Sequence, residues 1–238
     1  MHLINNLAII QVRTGSSRLP NKCFKKLGKH TIIDWVIKRV KKTKLVDKIV
    51  LATTTKKKDI IFKSIAKKNN IDFFFGDEQN VLLRFHKVIK KFNPENVVRI
   101  CADNPFISSS FIDKLIIFYK KNKCDLAFNN SPNENFKYDC IDGLGAEIFN
   151  SKLIEKAIQN TKNKKNLEHV TRFFYLNKKY KIKAVPLNKI FYMKTKSLDV
   201  NTLKDLKYIK SLVKKYNFTI NSNAEKIANK LLSKRTQF

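Results

Sequence analysis

The chain has 238 residues, 43% of them hydrophobic, which suits one α/β domain with a sizeable core. Its formal net charge is +31, but lysine outnumbers arginine 43 to 7 and occurs in almost every segment, which favours a solvated lysine surface over a nucleic-acid interface. No apolar run approaches the roughly 20 residues of a membrane helix. The N-terminus lacks a signal-peptide layout, and the four cysteines lack paired or metal-ligand spacing, so we expect a cytoplasmic protein without a membrane span.

Short apolar strands alternate with amphipathic helices in the first half of the chain. The predicted strands are residues 7–12, 48–53, 71–75 and 96–102. Three helices are predicted: the first begins with a capping box at Thr31 and Asp34, and the others span 59–69 and 81–92. This alternation predicts βαβ units and a Rossmann-like α/β fold, with a mostly parallel sheet flanked by helices.

The second half of the chain continues with less regular spacing. Helices are predicted at 111–121, from 153, at 168–176, 202–215 and 223–233, and strands at 125–129, 145–149, 181–186 and 197–200. Since no repeat or long linker divides the sequence, we expect a single domain over residues 1–238, with a small substrate-side lobe around residues 130–180.

The segment RTGSSRLPNK, residues 13–22, follows the first strand and concentrates positive charge. It holds two of the scarce arginines, Arg13 and Arg18, and Lys22 ends it. Ligands of parallel α/β sheets bind outside the carboxyl ends of the strands, where this loop must lie. The loop is therefore predicted to bind several phosphates, the alternative being a basic surface turn.

Small residues inside the loop support the same prediction. Gly15 allows backbone N–H groups to approach an anion closely, and Ser16 and Ser17 add hydroxyl donors. The pattern is neither the Walker motif GxxxxGK[ST] nor the dinucleotide motif GxGxxG.

The pattern R-x-G-S-S-R-L-P-x-K resembles the signature of CTP-dependent sugar cytidylyltransferases, which activate 3-deoxy-manno-octulosonate and acylneuraminates. The spore-coat-polysaccharide type is the most similar. Further motifs resembling that superfamily are DEQNVLLR at 77–84, VRICADNPFI at 98–107, EHVT at 168–171 and LDVNT at 198–202. The resemblance covers nearly the whole chain and implies a fold of the nucleotide-diphospho-sugar transferase type.

The resemblance also implies an activity, namely transfer of CMP from CTP to a sugar or acid-sugar acceptor with release of pyrophosphate, for a surface polysaccharide or glycan. It implies that Arg13 and Arg18 bind the β- and γ-phosphates and that Lys22 lies near the α-phosphate. The implied catalytic residues are Lys22, Arg13 and Asp103. Residues expected near the nucleoside are Thr53, Asn80 and Arg84.

The implied cofactor is Mg²⁺, which prefers oxygen ligands. The implied ligands are Asp103, after the fourth strand, and Asp199 in the C-terminal motif. Asn201 stands where related enzymes have a second aspartate, and it is expected to act as a neutral or water-mediated ligand.

Acceptor-binding residues are expected to be Asp142, Glu147, Glu168 and His169, although a lone helical histidine is more often structural. The resemblance further implies that a homodimer can form. Two alternative functions remain open. The first is a nucleotidyltransferase with another nucleotide or a non-sugar phosphate or phosphonate acceptor, and the second is a polyanion-binding protein.

Overall fold

A seven-stranded sheet forms the centre of the protein. The computed structural model describes residues 3–129, 140–193 and 197–233. The sheet strands are β1 (Asn6–Gln11), β4 (Lys48–Thr54), β5 (Asp72–Gly76), β6 (Asn96–Cys101), β7 (Leu126–Phe128), β8 (Glu147–Asn150) and β9 (Ile182–Ala184). A separate antiparallel hairpin is formed by β2 (Lys26–Leu27) and β3 (His30–Thr31).

The strand order in the sheet is β5-β4-β1-β6-β8-β7-β9. Neighbouring strands are parallel except at β8, which runs antiparallel to both β6 and β7. The predicted fold class, a mostly parallel Rossmann-like sheet flanked by helices, is confirmed.

Helices cover both faces of this sheet. Their bounds are α1 (Ile32–Val40), α2 (Ile61–Lys68), α3 (Val81–Phe92), α4 (Ser109–Asn122), α5 (Lys152–Asn160), α6 (Lys164–Glu168), α7 (Arg172–Tyr175), α8 (Leu203–Tyr216) and α9 (Ala224–Leu232). The predicted capping box at α1 is present, with Asp34 N donating to the Thr31 hydroxyl and the Asp34 carboxylate accepting from Thr31 N.

Side chains of β1 alternate between two cores. Ala8 and Ile10 pack with α1, α2 and α4, whereas Leu7 and Ile9 pack with α3 and α5. A third apolar cluster joins α8 and α9 to the outer side of α1 around Trp35. Layers on both faces bury most residues of the central strands, as their apolar sequences predict.

Two predicted elements differ from the structure. The helix predicted at 168–176 is divided into α6 and α7, because His169 ends α6 with φ −105° and ψ 89°, outside the helical region. The strand predicted at 197–200 is reduced to one parallel bridge between Ser197 and Asp142.

The predicted lobe around residues 130–180 stays a prediction, and its residues 130–139 lie outside the described part of the chain. Within that range, β8 is an interior strand of the main sheet. Among the described residues, no helix combines the length and apolarity needed to cross a lipid bilayer.

A buried arginine ties α1 to two distant segments. The Arg39 guanidinium donates to the backbone carbonyls of Ile107 at 2.6 Å and Ser222 at 2.7 Å, with longer bonds to Phe106 and Ile220. Burial lowers the pKa of Arg39 to about 10. Carbonyl oxygens thus satisfy this cation inside the protein, as a buried charge requires.

We expect Arg39→Met to destabilise the protein by on the order of 3 kcal/mol, because it leaves several buried carbonyls without donors. Urea denaturation measures the change. The matched control is Lys38→Met on the same helix, which is expected to shift stability by less than about 0.5 kcal/mol. Equal stability of the two variants would show that the Arg39 bonds contribute little.

Candidate active site

The candidate site lies where the strand order of the sheet reverses. From β1 the chain builds β4 and β5 on one side, then returns to place β6 on the other side of β1. The carboxyl ends of β1 and β6 are therefore neighbours, and ligands of open α/β sheets bind at such a point. A cleft of about 420 Å³ lies there.

Most of the predicted phosphate and catalytic residues line this cleft. The predicted residues in the lining are Arg13, Ser16, Ser17, Arg18, Lys22, Arg84, Asp103, Glu168 and His169. Asn201, the expected neutral ligand, lines it as well. The structure thus brings residues of all five motifs of the sequence to one place.

The loop after β1 is compact because its own backbone closes it. The carbonyl of Thr14 accepts from Ser16 N at 2.9 Å and from Asn21 N at 3.2 Å. The hydroxyl of Ser16 accepts from Leu19 N at 3.2 Å, and Leu19 is buried in the core. These bonds hold the arginines at the mouth of the cleft instead of leaving them on a mobile turn.

Lys22 connects the loop to the neighbouring strand. Its Nζ donates to Asp103 Oδ2 at 2.7 Å and to Asn201 Oδ1 at 3.3 Å. Both members of the Lys22–Asp103 pair are mostly shielded from solvent, with side chains 17% and 24% exposed. Arg18 donates to the same Asn201 oxygen at 2.9 Å. The amide oxygen therefore faces two cations.

The segment 197–201 brings one more carboxylate, that of Asp199, near the site, although Asp199 itself is not among the lining residues of the cleft. Leu198 N donates to the carbonyl of Asp142 and Val200 N to the carbonyl of Asp103, both at 2.9 Å. Asp199, between these two anchors, is thereby held near two other carboxylates. Its carboxylate accepts from the Asn201 side-chain amide and from the Ser197 hydroxyl.

The close packing at Asp199 requires a glycine nearby. Gly143 has φ +87°, and a Cβ there would lie 2.8 Å from Asp199 N. No other residue type fits this position without displacing the segment that carries Asp199.

Burial and the nearby carboxylates raise the pKa of Asp199. Burial contributes most, followed by the charges of Asp142 and Asp103, and together they raise the pKa to about 6. A divalent cation would relieve this repulsion, so the oxygen donors here fit Mg²⁺. Among the described residues, no group of three or more His, Cys, Asp or Glu side chains converges as a ligand set. Magnesium commonly takes only one or two carboxylates beside phosphate and water, so the two aspartates suffice.

Arg84 is the most deeply buried of the cleft cations. Its side chain donates to the carbonyl of Asp77 at 3.2 Å, and its Nε has no partner among the described residues. Burial, and then the charge of Arg13, lower its pKa to about 10. The side chain packs over Gly76, where a Cβ would lie 2.7 Å from Arg84 Cγ. A buried cation with spare donors at a cleft is suited to a polar ligand.

The opposite wall of the cleft is formed where α6 ends. Arg13 pairs with Glu168 at 3.3 Å, in an exposed position. His169 follows and lines the cleft. Because α6 ends there, Glu168 and His169 lie at the cleft and not within a continuous helix.

Other predicted nucleotide residues lie outside the lining. Thr53 is fully buried, and its hydroxyl has no partner among the described residues. The Asn80 side chain caps α3 by accepting from Leu83 N at 2.8 Å. Gly15 has no positive φ, and an added Cβ would make only ordinary contacts, so its conformational freedom is not needed here.

Two predicted acceptor residues also lie outside the lining. The backbone carbonyl of Asp142 accepts from Leu198 N at 2.9 Å, and the Asp142 carboxylate accepts from Gly143 N at 2.8 Å. Glu147 is buried and accepts from Arg99 Nη1 at 2.5 Å, from the Thr171 hydroxyl at 3.0 Å and from Tyr175 at 3.0 Å. These bonds join β6 and β8 to α7.

Sequence reasoning missed three features of the site. The cleft contains the thiols of Cys23 and Cys101, but burial raises both pKa values to about 12, so both stay protonated at neutral pH. Gly76 and Gly143 make room for Arg84 and Asp199. The available signals were that Gly76 directly precedes the motif at 77–84 and that Gly143 directly follows the predicted acceptor residue Asp142. The third is Asp59, a buried carboxylate bonded to Thr14.

Comparisons with known proteins agree with this geometry. The sequence model of the family described as "Cytidylyltransferase" matches residues 7–227. The spore coat polysaccharide biosynthesis protein SpsF of Bacillus subtilis is 29% identical over 216 residues, covering 88% of this chain and 86% of that protein. An uncharacterised protein of Methanocaldococcus jannaschii, MJ1063, is 36% identical over 212 residues, covering 88% of this chain and 84% of that protein.

A solved structure of a cytidylyltransferase from Leptospira borgpetersenii superposes with a TM-score of 0.84 at 24% identity, covering 99% of this chain and 96% of that one. Fold and site together define an enzyme of the nucleotidyltransferase class. The chain belongs to the cytidylyltransferase family, and the resemblance found in its motifs is confirmed.

The raised pKa of Asp199 predicts a pH effect on stability in chelator. The folded protein holds the Asp199 proton more tightly than the unfolded chain, in which the pKa is 3.8. The protonated carboxyl therefore contributes fully to the free energy of unfolding below about pH 4, and this contribution is lost as pH rises through about 6. The stability of Asp199→Asn relative to wild type should therefore increase as pH is raised from about 4 to 7. We expect on the order of 1 kcal/mol after solvent screening.

The matched control is Asp205→Asn, and the measurement is urea unfolding of all three proteins at both pH values. Burial raises the pKa of Asp205, but hydrogen bonds from Thr202 and Asn201 N outweigh it, so the net shift is downward. The stability that Asp205 contributes is present above the unfolded value and is lost as pH falls. Both measuring pH values lie above it, so the variant should be less stable than wild type by a similar amount at pH 4 and at pH 7. The same trend in both variants would contradict the assignment.

Proposed function

We propose that this protein transfers CMP from CTP to a sugar or acid-sugar acceptor, with release of pyrophosphate, in the synthesis of a surface polysaccharide or glycan. The observation that carries the proposal is the convergence of Arg13, Arg18 and Lys22 with Asp103 in one cleft at the reversal of strand order. The acceptor class is supported by the similarity to SpsF, whose name assigns it to spore coat polysaccharide synthesis.

The cations in the cleft suit the charge of a nucleoside triphosphate. Arg13 and Arg18 would bind the β- and γ-phosphates, and the Ser16 and Ser17 region would donate to phosphate oxygens. Both arginines have exchangeable partners, Glu168 and the Asn201 amide. Arg84 would contact the nucleoside, because it lines the cleft together with Val81 and its Nε has no partner among the described residues.

Lys22 would act at the reacting phosphorus. An acceptor oxygen attacks the α-phosphorus, a new P–O bond forms, the bond to the bridging oxygen of the β-phosphate breaks, and pyrophosphate leaves with that electron pair. A hydroxyl acceptor releases its proton. The Lys22 ammonium would neutralise charge on the α-phosphate during this step, which depends chiefly on positioning and electrostatics.

Asp103 and Asp199 would hold Mg²⁺, and Asn201 would orient Asp199 through its side-chain amide. The metal supplies further neutralisation of the phosphate oxygens. In the free protein Asp103 is paired with Lys22, so the lysine must leave this carboxylate to reach the α-phosphate.

The nucleotide preference is tested by thermal stabilisation with CTP, UTP, GTP and ATP in the presence of Mg²⁺. CTP is expected to stabilise most, by roughly 2.7 kcal/mol at about 100 times its Kd. An acceptor panel of acid sugars, neutral sugars and phosphonates, with pyrophosphate detection, then identifies the acceptor. Stronger stabilisation by another triphosphate would establish a different nucleotide. Binding without nucleotide preference that weakens steeply with salt would indicate a polyanion-binding protein.

Lys22→Ala is expected to lower kcat by on the order of 10²–10³-fold and to change the KM for CTP much less, because the charge contact strengthens in the transition state. Steady-state pyrophosphate release measures both constants. Lys25→Ala removes a nearby exposed lysine and serves as the control. Turnover of Lys22→Ala at the wild-type rate would reject this role.

A further inference from the structure

A buried aspartate lies beneath the phosphate-binding loop. Asp59 follows β4 and is 1% exposed. Its Oδ1 accepts from Thr14 N at 3.0 Å and from the Thr14 hydroxyl at 2.5 Å, and its Oδ2 accepts from the Thr54 hydroxyl. A buried carboxylate is stable only when such donors replace water, so the three bonds fix this side chain.

Thr14 links Asp59 to the rest of the loop. It follows Arg13 directly, and its carbonyl accepts from Ser16 N and from Asn21 N. One residue therefore connects the start of the loop with the turn before Lys22. Asp59 holds that residue by its backbone and by its side chain at once.

We propose that Asp59 is a positioning residue that sets the geometry of the loop 13–22 for the β- and γ-phosphates of the nucleotide. This inference rests on the proposed function. Asp59 touches neither the cleft nor the reacting atoms, so it acts through Thr14.

The bonding pattern explains why a carboxylate is needed at this position. Both oxygens act as acceptors, one for Thr14 and the other for the hydroxyl of Thr54. Asparagine keeps one acceptor but places an NH₂ group on the other side, and it removes the charge that strengthens the bonds. Asp59→Asn should therefore loosen the loop while keeping the volume of the side chain.

The test compares the affinity for CTP with that for CMP, both measured by calorimetric titration in Mg²⁺. CMP has no β- or γ-phosphate, so a role in positioning the loop predicts selective loss. Asp59→Asn should raise the Kd for CTP about tenfold and the Kd for CMP less than about twofold. Equal weakening of both ligands, or of neither, would overturn the proposal.

The matched control is Asp113→Asn. Asp113 also accepts backbone N–H bonds, from Lys44 and Leu45, but it lies on α4 away from the cleft. Its variant should bind both ligands like wild type. A merely structural role of Asp59 would lower the melting temperature and leave the ratio of the two Kd values unchanged.

A second pair of variants decides the question if Asp59→Asn does not fold. Thr14→Ser keeps the hydroxyl that bonds to Asp59, whereas Thr14→Val replaces it with a methyl group of similar size. Thr14→Val should reproduce the selective loss of CTP affinity, whereas Thr14→Ser should keep the wild-type affinity for CTP. Equal behaviour of the two variants would overturn the proposal.

The outcomes also separate this inference from the proposed function. Wild-type protein that binds no triphosphate refutes both. Wild-type protein that prefers another triphosphate refutes the CTP assignment, and the same comparison with that nucleotide and its monophosphate still decides the role of Asp59. Normal CTP binding with unselective variants refutes the role of Asp59 alone.

Discussion

The reversal of strand order at β1 is the constraint on which the rest of the structure depends. It leaves the carboxyl ends of β1 and β6 side by side, without an intervening strand. The loop that carries Arg13 and Lys22 and the turn that carries Asp103 therefore meet, although they are 81 residues apart at the Lys22–Asp103 bond. The C-terminal segment is then added by backbone bonds to Asp103 and Asp142, and the site is complete.

Opposite charges in this cleft neutralise each other in the free protein. Lys22 pairs with Asp103, Arg13 with Glu168, and Arg18 with an amide oxygen. Under the proposed function, a bound polyphosphate would therefore exchange partners within an existing network. Pairs of this kind keep a concentrated set of charges compatible with folding, while the exposure of Arg13 and Glu168 keeps that pair weak enough to open.

The sequence was sufficient for features that depend on local pattern. Long apolar strands and amphipathic helices were predicted nearly to their ends, and the loop motif identified the cations that line the cleft. Contacts between distant residues were not predictable. The local sequence around Thr171 does not indicate that its hydroxyl bonds to Glu147, beside the interruption of a predicted helix. The sequence around Arg39 likewise does not indicate that its partners are the carbonyls of residues 107 and 222. Such bonds exist only once the layers of the fold have assembled.

Asn201 shows what one uncharged group can do between charges of both signs. Its planar amide turns an oxygen to Arg18 and Lys22 and an N–H group to Asp199, so a single side chain acts as an oriented dipole. A carboxylate at this position would bind the two cations more strongly and would repel Asp199. The neutral amide holds both cations by hydrogen bonds weaker than those of a carboxylate, so under the proposed function they would be released easily to the phosphates of the nucleotide.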